Sequence, residues 1–365
     1  MGCLFPLVLV ALVGSLLANV LFGYLLVQDI GDALDVEPAT VREKFVLGDR
    51  DATDKVAVVR IEGVISEYTT AYPIKQMEKA AKDRHVKAVV LRVDSPGGTV
   101  TASEELYQCL VNLRDNTGRR FPGSGPKPLA VSMGGVAASG GYYVAMAGRP
   151  VSAERTTITG SIGVFAALPN VHDLAERNGV RVELIKAGDV KGSGSFFHKM
   201  LPEERQTWQD TVDGAYDTFL GVVASGRTPL TKEQFRTEVV IDRTIPDRDE
   251  KGNPKMENGK PVTARYVRKR ADGGTFTAAQ ALEFKLIDKV EDLPATIRAA
   301  AAAAGLSKFK AVAYERPATV LDLFTGGQMR AHHHAPDFRG LTAALTPRLW
   351  YLAPTADGAI LTPAP

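Results

Sequence analysis

The sequence predicts an α/β fold in which crossover helices connect a largely parallel sheet. Two runs rich in Val and Ile, VAVVRIEGVI (residues 56–65) and VKAVVLRVDS (residues 86–95), lack helical periodicity and are typical of buried strands. The helix-like stretch IKQMEKAAKDRH lies between them. This alternation of strand and helix recurs farther along the chain, and such a rhythm favours parallel strands joined by helices.

The following segments continue the pattern. TASEELYQCLVNLRDN carries apolar residues at helical spacing and begins with Thr101 and Ser103, either of which could cap a helix. PLAVSM predicts a strand, and VAASGGYYVAMAG predicts a helix that begins near Ser139. RVELIKAG predicts another strand, PEERQTWQD opens a helix over residues 202–225, and TFTAAQALEFKLIDKV predicts a short helix followed by a strand.

The two ends of the chain differ from this body, which we place at residues 55–325. Residues 4–27 carry no charge, and a helix of that length spans the roughly 30 Å hydrocarbon core of a bilayer. The start lacks a basic region and a good cleavage site, so we expect an uncleaved anchor at residues 1–29 and a polar linker over 30–54. Residues 326–365 read as a loop-like tail with three successive histidines.

The composition argues against several classes of protein. The 365 residues carry a formal charge of +2, from 44 basic and 42 acidic residues, so the charge balance does not favour a nucleic-acid partner. The two cysteines, Cys3 and Cys109, offer neither a disulfide framework nor a thiol metal site, and we expect Cys109 to be a small buried side chain. The stretch 241–274 is dense in charge, Gly, Asn and Pro, which predicts an inserted hairpin or loop.

Two Gly-rich turns are the first candidates for chemistry. In VDSPGG, Pro96 ends a strand and the two glycines free the backbone to aim N–H groups at a ligand. The second turn is Ser139-Gly140-Gly141. If the two strands are adjacent and parallel, both turns lie at the carboxyl edge of the sheet, where open α/β folds place their sites. Ser139 would then lie at a helix N-terminus, as a cap or as a nucleophile.

A nucleophilic serine needs a base, and the residues alone do not identify one. The available histidines have poor contexts; they are His85, His172, His198 and the run 332–334. The run has no suitably spaced acid or thiol, so a solvated cluster is favoured over a metal site. A lysine that desolvation keeps neutral can also act as a base. Lys191, after RVELIKAG, is such a candidate, but Lys186 and Lys199 compete with it and composition alone does not separate Lys191 from a surface lysine.

Four motifs in one order carry a resemblance to a known family. VDSPGGTVTASEEL, AASGGYY, ITGSIGV and IKAGDVKG closely resemble signal peptide peptidase A, the bacterial membrane-anchored serine peptidases of family S49, which are related in fold to the Clp protease subunit and to crotonases. The resemblance implies a ClpP/crotonase-like sheet and a Ser-Lys dyad, with Ser139 as nucleophile and Lys191 as base. It also implies that Ser161 orients the lysine amine and that the N–H groups of Gly98 and Gly140 form an oxyanion hole.

The same resemblance implies a biological setting. The substrates would be cleaved signal peptides and other apolar peptides at the bacterial inner membrane, with a single membrane pass and the catalytic domain outside the cytoplasm. No cofactor, metal or nucleic acid is expected. Short members of the family form octamers whose active sites draw on neighbouring subunits. The tail segment LTPRLWYLAP could reach a neighbour's groove or could be a simple packing strand.

Two stretches depart from the family pattern, and two other functions fit parts of the sequence. The charged insertion and the GSGSFF that follows Lys191 leave the groove shape, the oligomer number and the substrate preference open. A crotonase-like acyl-CoA enzyme would aim the same N–H groups at a thioester enolate, but it would need neither the anchor nor the pair Ser139 and Lys191. An inactive membrane scaffold would not need the polar residues that match the family. The sequence therefore favours a membrane-anchored serine endopeptidase that works through an acyl-enzyme.

Overall fold

The structure is a computed structural model, and it describes Ser15 and residues 41–117, 120–249, 252–315 and 349–352. The predicted anchor, apart from Ser15, and most of the predicted tail lie outside the described residues. Within the described ranges, no helix is long and apolar enough to cross a membrane. Contacts divide the chain into two units, and the unit formed by residues 45–313 and 336–364 contains the candidate site.

Strands and helices alternate along the body of the chain. The strands are β1 (Arg42–Gly48), β2 (Lys55–Glu62), β3 (Val86–Ser95), β4 (Gly97–Thr99), β5 (Leu129–Ala138), β6 (Val151–Ala153), β7 (Ile158–Gly160), β8 (Phe165–Ala166), β9 (Val239–Pro246), β10 (Met256–Glu257), β11 (Lys260–Pro261), β12 (Thr263–Lys269), β13 (Thr275–Thr277), β14 (Lys289–Val290), β15 (Lys310–Glu315) and β16 (Leu349–Leu352). The helices are α1 (Ala71–Lys82), α2 (Val100–Asp115), α3 (Gly140–Ala145), α4 (His172–Arg177), α5 (Pro202–Gly226), α6 (Lys232–Thr237), α7 (Ala278–Glu283) and α8 (Leu293–Ala303).

The central sheet is mostly parallel. Its strands lie in the order β1-β15-β2-β3-β5-β6-β14, and β7 pairs with β5 and β13 beside this path. The pairs β2–β3, β3–β5, β5–β6 and β5–β7 are all parallel, whereas β13 runs antiparallel to β7. Parallel neighbours require crossover connections, which α1 supplies between β2 and β3 and α2 supplies between β3 and β5. The predicted α/β class with a largely parallel sheet is confirmed.

Both faces of the sheet are buried at its central strands, since successive residues of a strand point to opposite faces and runs of consecutive residues in β2 and β3 are buried. Val56 and Val58 of β2 pack in one apolar cluster with Ile297 of α8. Helix α2 packs against α1 and α3, while α1 packs against β2 and β3 and α3 packs against β3 and β5. Cys109 of α2 is 2% exposed, so the prediction of a buried side chain is confirmed. Burial raises the pKa of this thiol to about 11.

The start of α2 differs from the prediction. Its N-cap is Thr99, whose Oγ1 accepts a hydrogen bond from the Ala102 N–H at 3.3 Å. Thr101 and Ser103 both lie inside the helix. The physical reason is the short strand β4, which ends at Thr99 in an extended conformation and leads directly into the helix.

The strand predicted for RVELIKAG is not formed. Residues 181–188 belong to no helix or strand, and their side chains are exposed. Alternating apolar residues stabilise a strand only when a neighbouring strand and a core are available, and none of the described strands pairs with this segment. The charged stretch 241–274, by contrast, contains an antiparallel hairpin of β9 and β12 with the small hairpin β10–β11 at its tip.

Candidate active site

Ser139 lies between β5 and α3 in a strained turn. Its φ is 54°, a region that side-chain-bearing residues rarely adopt, and its N–H donates to the Gly160 carbonyl at 2.8 Å. Although Ser139 is at the N-cap position of α3, its side chain makes no capping hydrogen bond. The residue is 1% exposed, and its Oγ has no hydrogen-bond partner among the residues that the structure describes. The hydroxyl is therefore held in place without a structural hydrogen bond of its own.

The two Gly-rich turns lie side by side, as the sequence predicts. Ser95 at the end of β3 is in register with Ala137 near the end of β5. A Cβ added to Gly141 would lie 2.5 Å from the Ser95 carbonyl oxygen, and a Cβ added to Gly98 would overlap the Ile65 carbonyl. Only glycine fits at these two positions, because the backbone segments approach each other so closely.

The N–H of Gly98 points away from the core of the sheet. Ile65 donates its N–H to the Gly97 carbonyl at 2.8 Å. Because the C=O and N–H of one trans peptide unit point in opposite directions, the Gly98 N–H faces the other side of β4. The same argument applies at α3, where the Ser139 carbonyl accepts the Tyr143 N–H at 2.8 Å and the Gly140 N–H therefore points out of the helix end. Both N–H groups are directed outward from buried turns.

Ser161 lies in the turn that follows β7. Its φ is 52°, it is buried, and its N–H donates to the Gly274 carbonyl at 2.9 Å. Its Oγ donates to the Gly273 carbonyl at 3.1 Å. The carbonyl of Gly160, the residue before Ser161, accepts the Ser139 N–H. One backbone hydrogen bond therefore links the two turns that contain Ser139 and Ser161.

Lys191 lies in a different environment from Ser139. It is exposed, in a segment without helix or strand, and its N–H donates to the Gly188 carbonyl at 3.2 Å. Lys186 contacts Glu204 at 3.2 Å, and Lys199 is exposed near Asp173 at 3.5 Å. The described part of one chain therefore does not bring a lysine amine to the Ser139 hydroxyl.

A peptide strand lies between β4 and β8, beside these turns. β16 runs antiparallel to both neighbours, with Tyr351 opposite Gly98 and Trp350 opposite Phe165. The outward N–H of Gly98 therefore faces the backbone of Tyr351. This geometry defines a groove that accepts an extended peptide through backbone pairing.

A cleft of about 440 Å³ lies beside β8. It is lined by apolar and polar side chains from the β8 region and from the start of α5, among them Val164, Phe165, Leu168, Met200, Arg205 and Trp208.

One cluster on α4 has the residue types and the spacing of a metal site. Its members are His172, Asp173 and Glu176. Their carboxylates are exposed surface groups, and His172 Nδ1 lies 3.0 Å from Asp173 Oδ1, so surface pairing accounts for the cluster.

One buried charged residue, beside the loop that carries Lys191, was not singled out from the sequence. Glu204 belongs to the first turn of α5, and its carboxylate contacts Lys186 and His198. The available signal was the acidic start of PEERQTWQD, because acids are favoured in the first turn of a helix. Its partners on the preceding loop could be recognised only in the folded chain.

Comparison with known proteins identifies the family. The sequence profile of peptidase family S49 matches residues 124–237. The chain is 31% identical over 293 residues to the protein named "Putative protease slr0021" of Synechocystis sp., a match that covers 80% of this chain and 90% of that protein. It is also 35% identical over 188 residues to "Protease 4" of Haemophilus influenzae and 31% identical over 203 residues to "Serine protease SPPA, chloroplastic" of Arabidopsis thaliana. The last two matches cover 50% and 52% of this chain and only 29% and 28% of those longer proteins. The chain therefore belongs to peptidase family S49.

Proposed function

We propose that this peptidase cleaves extended peptides through a Ser139–Lys191 dyad. The observation that carries the proposal is the Ser139 hydroxyl, which is buried, lacks a hydrogen bond within the described residues and lies in a strained turn next to a peptide groove. A cap or a core serine would normally satisfy its hydroxyl, since buried polar groups are costly when unpaired. A nucleophile has to keep its hydroxyl available for the base and the substrate.

The chemistry follows the acyl-enzyme route. Lys191 accepts the proton of the Ser139 hydroxyl as Oγ attacks the scissile carbonyl carbon. The N–H groups of Gly98 and Gly140 donate to the oxygen that becomes negative. The tetrahedral intermediate collapses as the lysine ammonium donates its proton to the leaving amine. Water, deprotonated by Lys191, then attacks the ester, and the proton returns to the Ser139 oxygen. Ser161 orients the lysine amine by a hydrogen bond.

The groove between β4 and β8 determines how substrate binds. Backbone pairing with two strands recognises any extended peptide, so selectivity comes from side-chain pockets such as the cleft beside β8. Apolar peptides fit the Val, Phe, Leu and Met side chains of that cleft. We favour cleaved signal peptides at the bacterial inner membrane as substrates, with residues 1–29 as a single-pass anchor and the catalytic domain outside the cytoplasm.

The partner of this chain is a second copy of itself. Apolar side chains are exposed along the segment that carries Lys191; they are Val180, Val182, Leu184, Ile185, Val190, Phe197 and Leu201. Such a patch is unusual on a monomer and indicates an interface. An assembly of copies, with an octamer as the expected size, covers this patch and brings the lysine of one copy to the serine of its neighbour.

A complementation assay tests this proposal. Full-length Ser139→Ala and Lys191→Ala should each lose at least roughly 1,000-fold in kcat on an apolar fluorogenic peptide, as expected for removal of a nucleophile or its base. Lys199→Ala, which removes another exposed lysine of the same segment, is the matched control and should keep its activity.

Mixing the two inactive variants separates the two arrangements of the dyad. If the lysine comes from a neighbour, co-assembled copies should recover about a quarter of wild-type activity, because a random neighbour pair joins an intact serine to an intact lysine in that fraction of sites. No recovery in assemblies that demonstrably exchange copies would place both residues in one chain. Full activity of Lys191→Ala alone would eliminate the dyad.

A further inference from the structure

A buried carboxylate lies at the base of the loop that carries Lys191. The Glu204 side chain is 1% exposed. Its Oε2 accepts the Leu201 N–H at 3.0 Å and lies 3.2 Å from His198 Nε2. Its Oε1 accepts a hydrogen bond from Lys186 Nζ at 3.2 Å. One carboxylate therefore accepts hydrogen bonds from Lys186 and from the Leu201 N–H, and it contacts His198 Nε2 without a hydrogen bond to that nitrogen.

The two basic side chains bracket Lys191 in the sequence. Lys186 precedes it, and His198 follows it on the return of the loop. Lys186 also donates to the Asp189 carbonyl at 2.5 Å. Because both ends of the loop meet at the same carboxylate, Glu204 closes residues 186–198 into a ring of contacts.

The loop is ordered within this ring by its own backbone. The N–H groups of Lys191, Ser193 and Ser195 each donate three residues back, at 3.0 to 3.2 Å. Outside the ring, Asn170 Nδ2 donates to the His198 carbonyl at 2.7 Å. The loop thus has a defined conformation although it is exposed and contains no helix or strand.

The contacts of Glu204 should stabilise the loop more than an exposed ion pair would, because this carboxylate is buried. A carboxylate out of contact with water is costly unless donors surround it, and removing one partner of a buried pair leaves the other unsatisfied. The Leu201 N–H, with Lys186 and His198, holds the pKa of Glu204 below its usual range, so the group stays charged. Exposed pairs such as Lys199–Asp173 contribute far less.

We propose that Glu204 is a positioning residue for the general base: by joining Lys186 to His198, it fixes the loop that presents Lys191 to the Ser139 hydroxyl. This inference rests on the proposed Ser139–Lys191 dyad. Glu204 touches neither the substrate nor the reacting atoms. Its effect on the reaction passes through the placement of the lysine amine.

Kinetics of three variants test the proposal in the full-length protein. Glu204→Ala should lower kcat about 10- to 100-fold, because a misplacement of about 1 Å costs up to that much, while KM stays within about twofold. For a short peptide that binds through backbone pairing and does not fill the cleft beside β8, KM is preserved because β4 and β8 lie outside this loop. Glu204→Gln keeps an acceptor for the Leu201 N–H but loses the charge, so its kcat should lie between those of wild type and Glu204→Ala. Glu203→Gln, at the exposed neighbour in the same helical turn, should match wild type.

Hydrogen exchange supplies a readout that does not depend on activity. The amides of residues 191, 193 and 195 should exchange at least about tenfold faster in Glu204→Ala than in Glu203→Gln, because the ring that protects them is open. Amides of β5 should be unchanged. If Glu204→Ala does not fold, Lys186→Met removes the hydrogen bond to Glu204 from the lysine instead. It should also lower kcat and speed up the exchange of these amides, but less than Glu204→Ala does.

The outcomes separate this inference from the proposed function. If Lys191→Ala is inactive but Glu204→Ala and Lys186→Met keep wild-type kcat, Glu204 does not position the base and the dyad stands. If KM and the exchange of β5 change together with kcat, Glu204 is a structural residue and the inference is wrong. If Lys191→Ala is fully active, the proposed dyad itself fails.

Discussion

The Ser139 turn and the Lys191 loop belong to one proposed catalytic pair but are built in opposite ways. Ser139 is buried between a central strand and a helix, and close backbone contacts hold it. Lys191 is exposed on a segment without regular structure, and one buried carboxylate anchors its loop. The core of the fold fixes the proposed nucleophile within a single chain. The proposed base depends on a few contacts that the rest of the fold does not duplicate.

This difference predicts different responses to mutation. Changes near Ser139 disturb the packed core, so they should reduce stability and activity together. Changes in the Lys191 loop disturb few buried contacts, so they should reduce activity or assembly and leave the free energy of unfolding nearly unchanged. The following predictions test this contrast, beginning with the largest expected effect.

Gly141→Ala should be the most damaging of these changes. Its Cβ would lie 2.5 Å from the Ser95 carbonyl oxygen, so the start of α3 must move and Ser139 must move with it. We expect kcat/KM to fall roughly 100-fold. Overpacking of about 1–3 kcal/mol should also lower Tm by several degrees, about 2–4 °C for each kcal/mol. Peptide hydrolysis and thermal unfolding monitored by circular dichroism measure the two effects.

Gly135→Ala is the matched control for Gly141→Ala. Its Cβ would lie 3.6 Å from Asp94 Oδ1, which is an ordinary contact. It should therefore keep the activity and Tm of the wild type. An active Gly141→Ala would mean that the two Gly-rich turns are more adaptable than their spacing indicates, and the contrast with the Lys191 loop would disappear.

Ile185→Asp tests the exposed side of the comparison. Ile185 is 92% exposed, so an aspartate costs the single chain little, but it places a charge in the proposed interface. We expect the assembly to dissociate in sedimentation experiments and the activity to fall by about tenfold, with the unfolding of the single chain unchanged. Met256→Asp, at an exposed apolar position on the charged hairpin, should leave the assembly intact. If Ile185→Asp and Met256→Asp sediment alike, the exposed apolar side chains around Ile185 do not form the interface.

The same contrast explains which features the sequence could predict. β2, β3 and β5 are buried on both faces over most of their length, so each contains a run of consecutive apolar residues (VAVV, AVVL and LAV) that is recognisable without knowledge of its neighbours. The turn that contains Ser139 could be predicted from its glycines, because Gly141 is required by the close approach of the Ser95 carbonyl. The strand predicted for RVELIKAG is wrong. Apolar and polar residues alternate there as in a strand, but none of the described strands pairs with this segment. Two features could not be predicted from the sequence, because they depend on contacts between residues that are distant along the chain. They are the groove between β4 and β8 and the contacts of Glu204 with the Lys191 loop.

Removal of β16 should have a smaller, activating effect. In the structure this strand occupies the groove between β4 and β8, where it would compete with a peptide substrate. A chain that lacks residues 349–365 should therefore show kcat/KM raised about two- to tenfold, because more of its grooves are open. A chain that lacks only residues 353–365 keeps β16 and should behave as wild type. Lower activity of the longer truncation would mean that β16 helps to build the groove.

The smallest effect concerns how dry the core is around Cys109 of α2. Cys109 has a usual pKa of 9.0, which burial raises to about 11 in the folded chain. Between these pH values the unfolded chain has lost a thiol proton that the folded chain retains. The contribution of Cys109 to the free energy of unfolding is therefore complete below pH 9.0 and declines as the pH rises towards about 11.

Urea unfolding of wild type and Cys109→Val isolates this contribution, because the other titrating groups are common to both proteins. From about pH 8 to about pH 10.5, wild type should lose on the order of 1 kcal/mol more than the variant. A difference between the two proteins that does not change with pH would mean that water reaches the α2 face of the core. The core would then be wetter than its burial indicates, and the contrast between the packed core and the exposed Lys191 loop would be weaker.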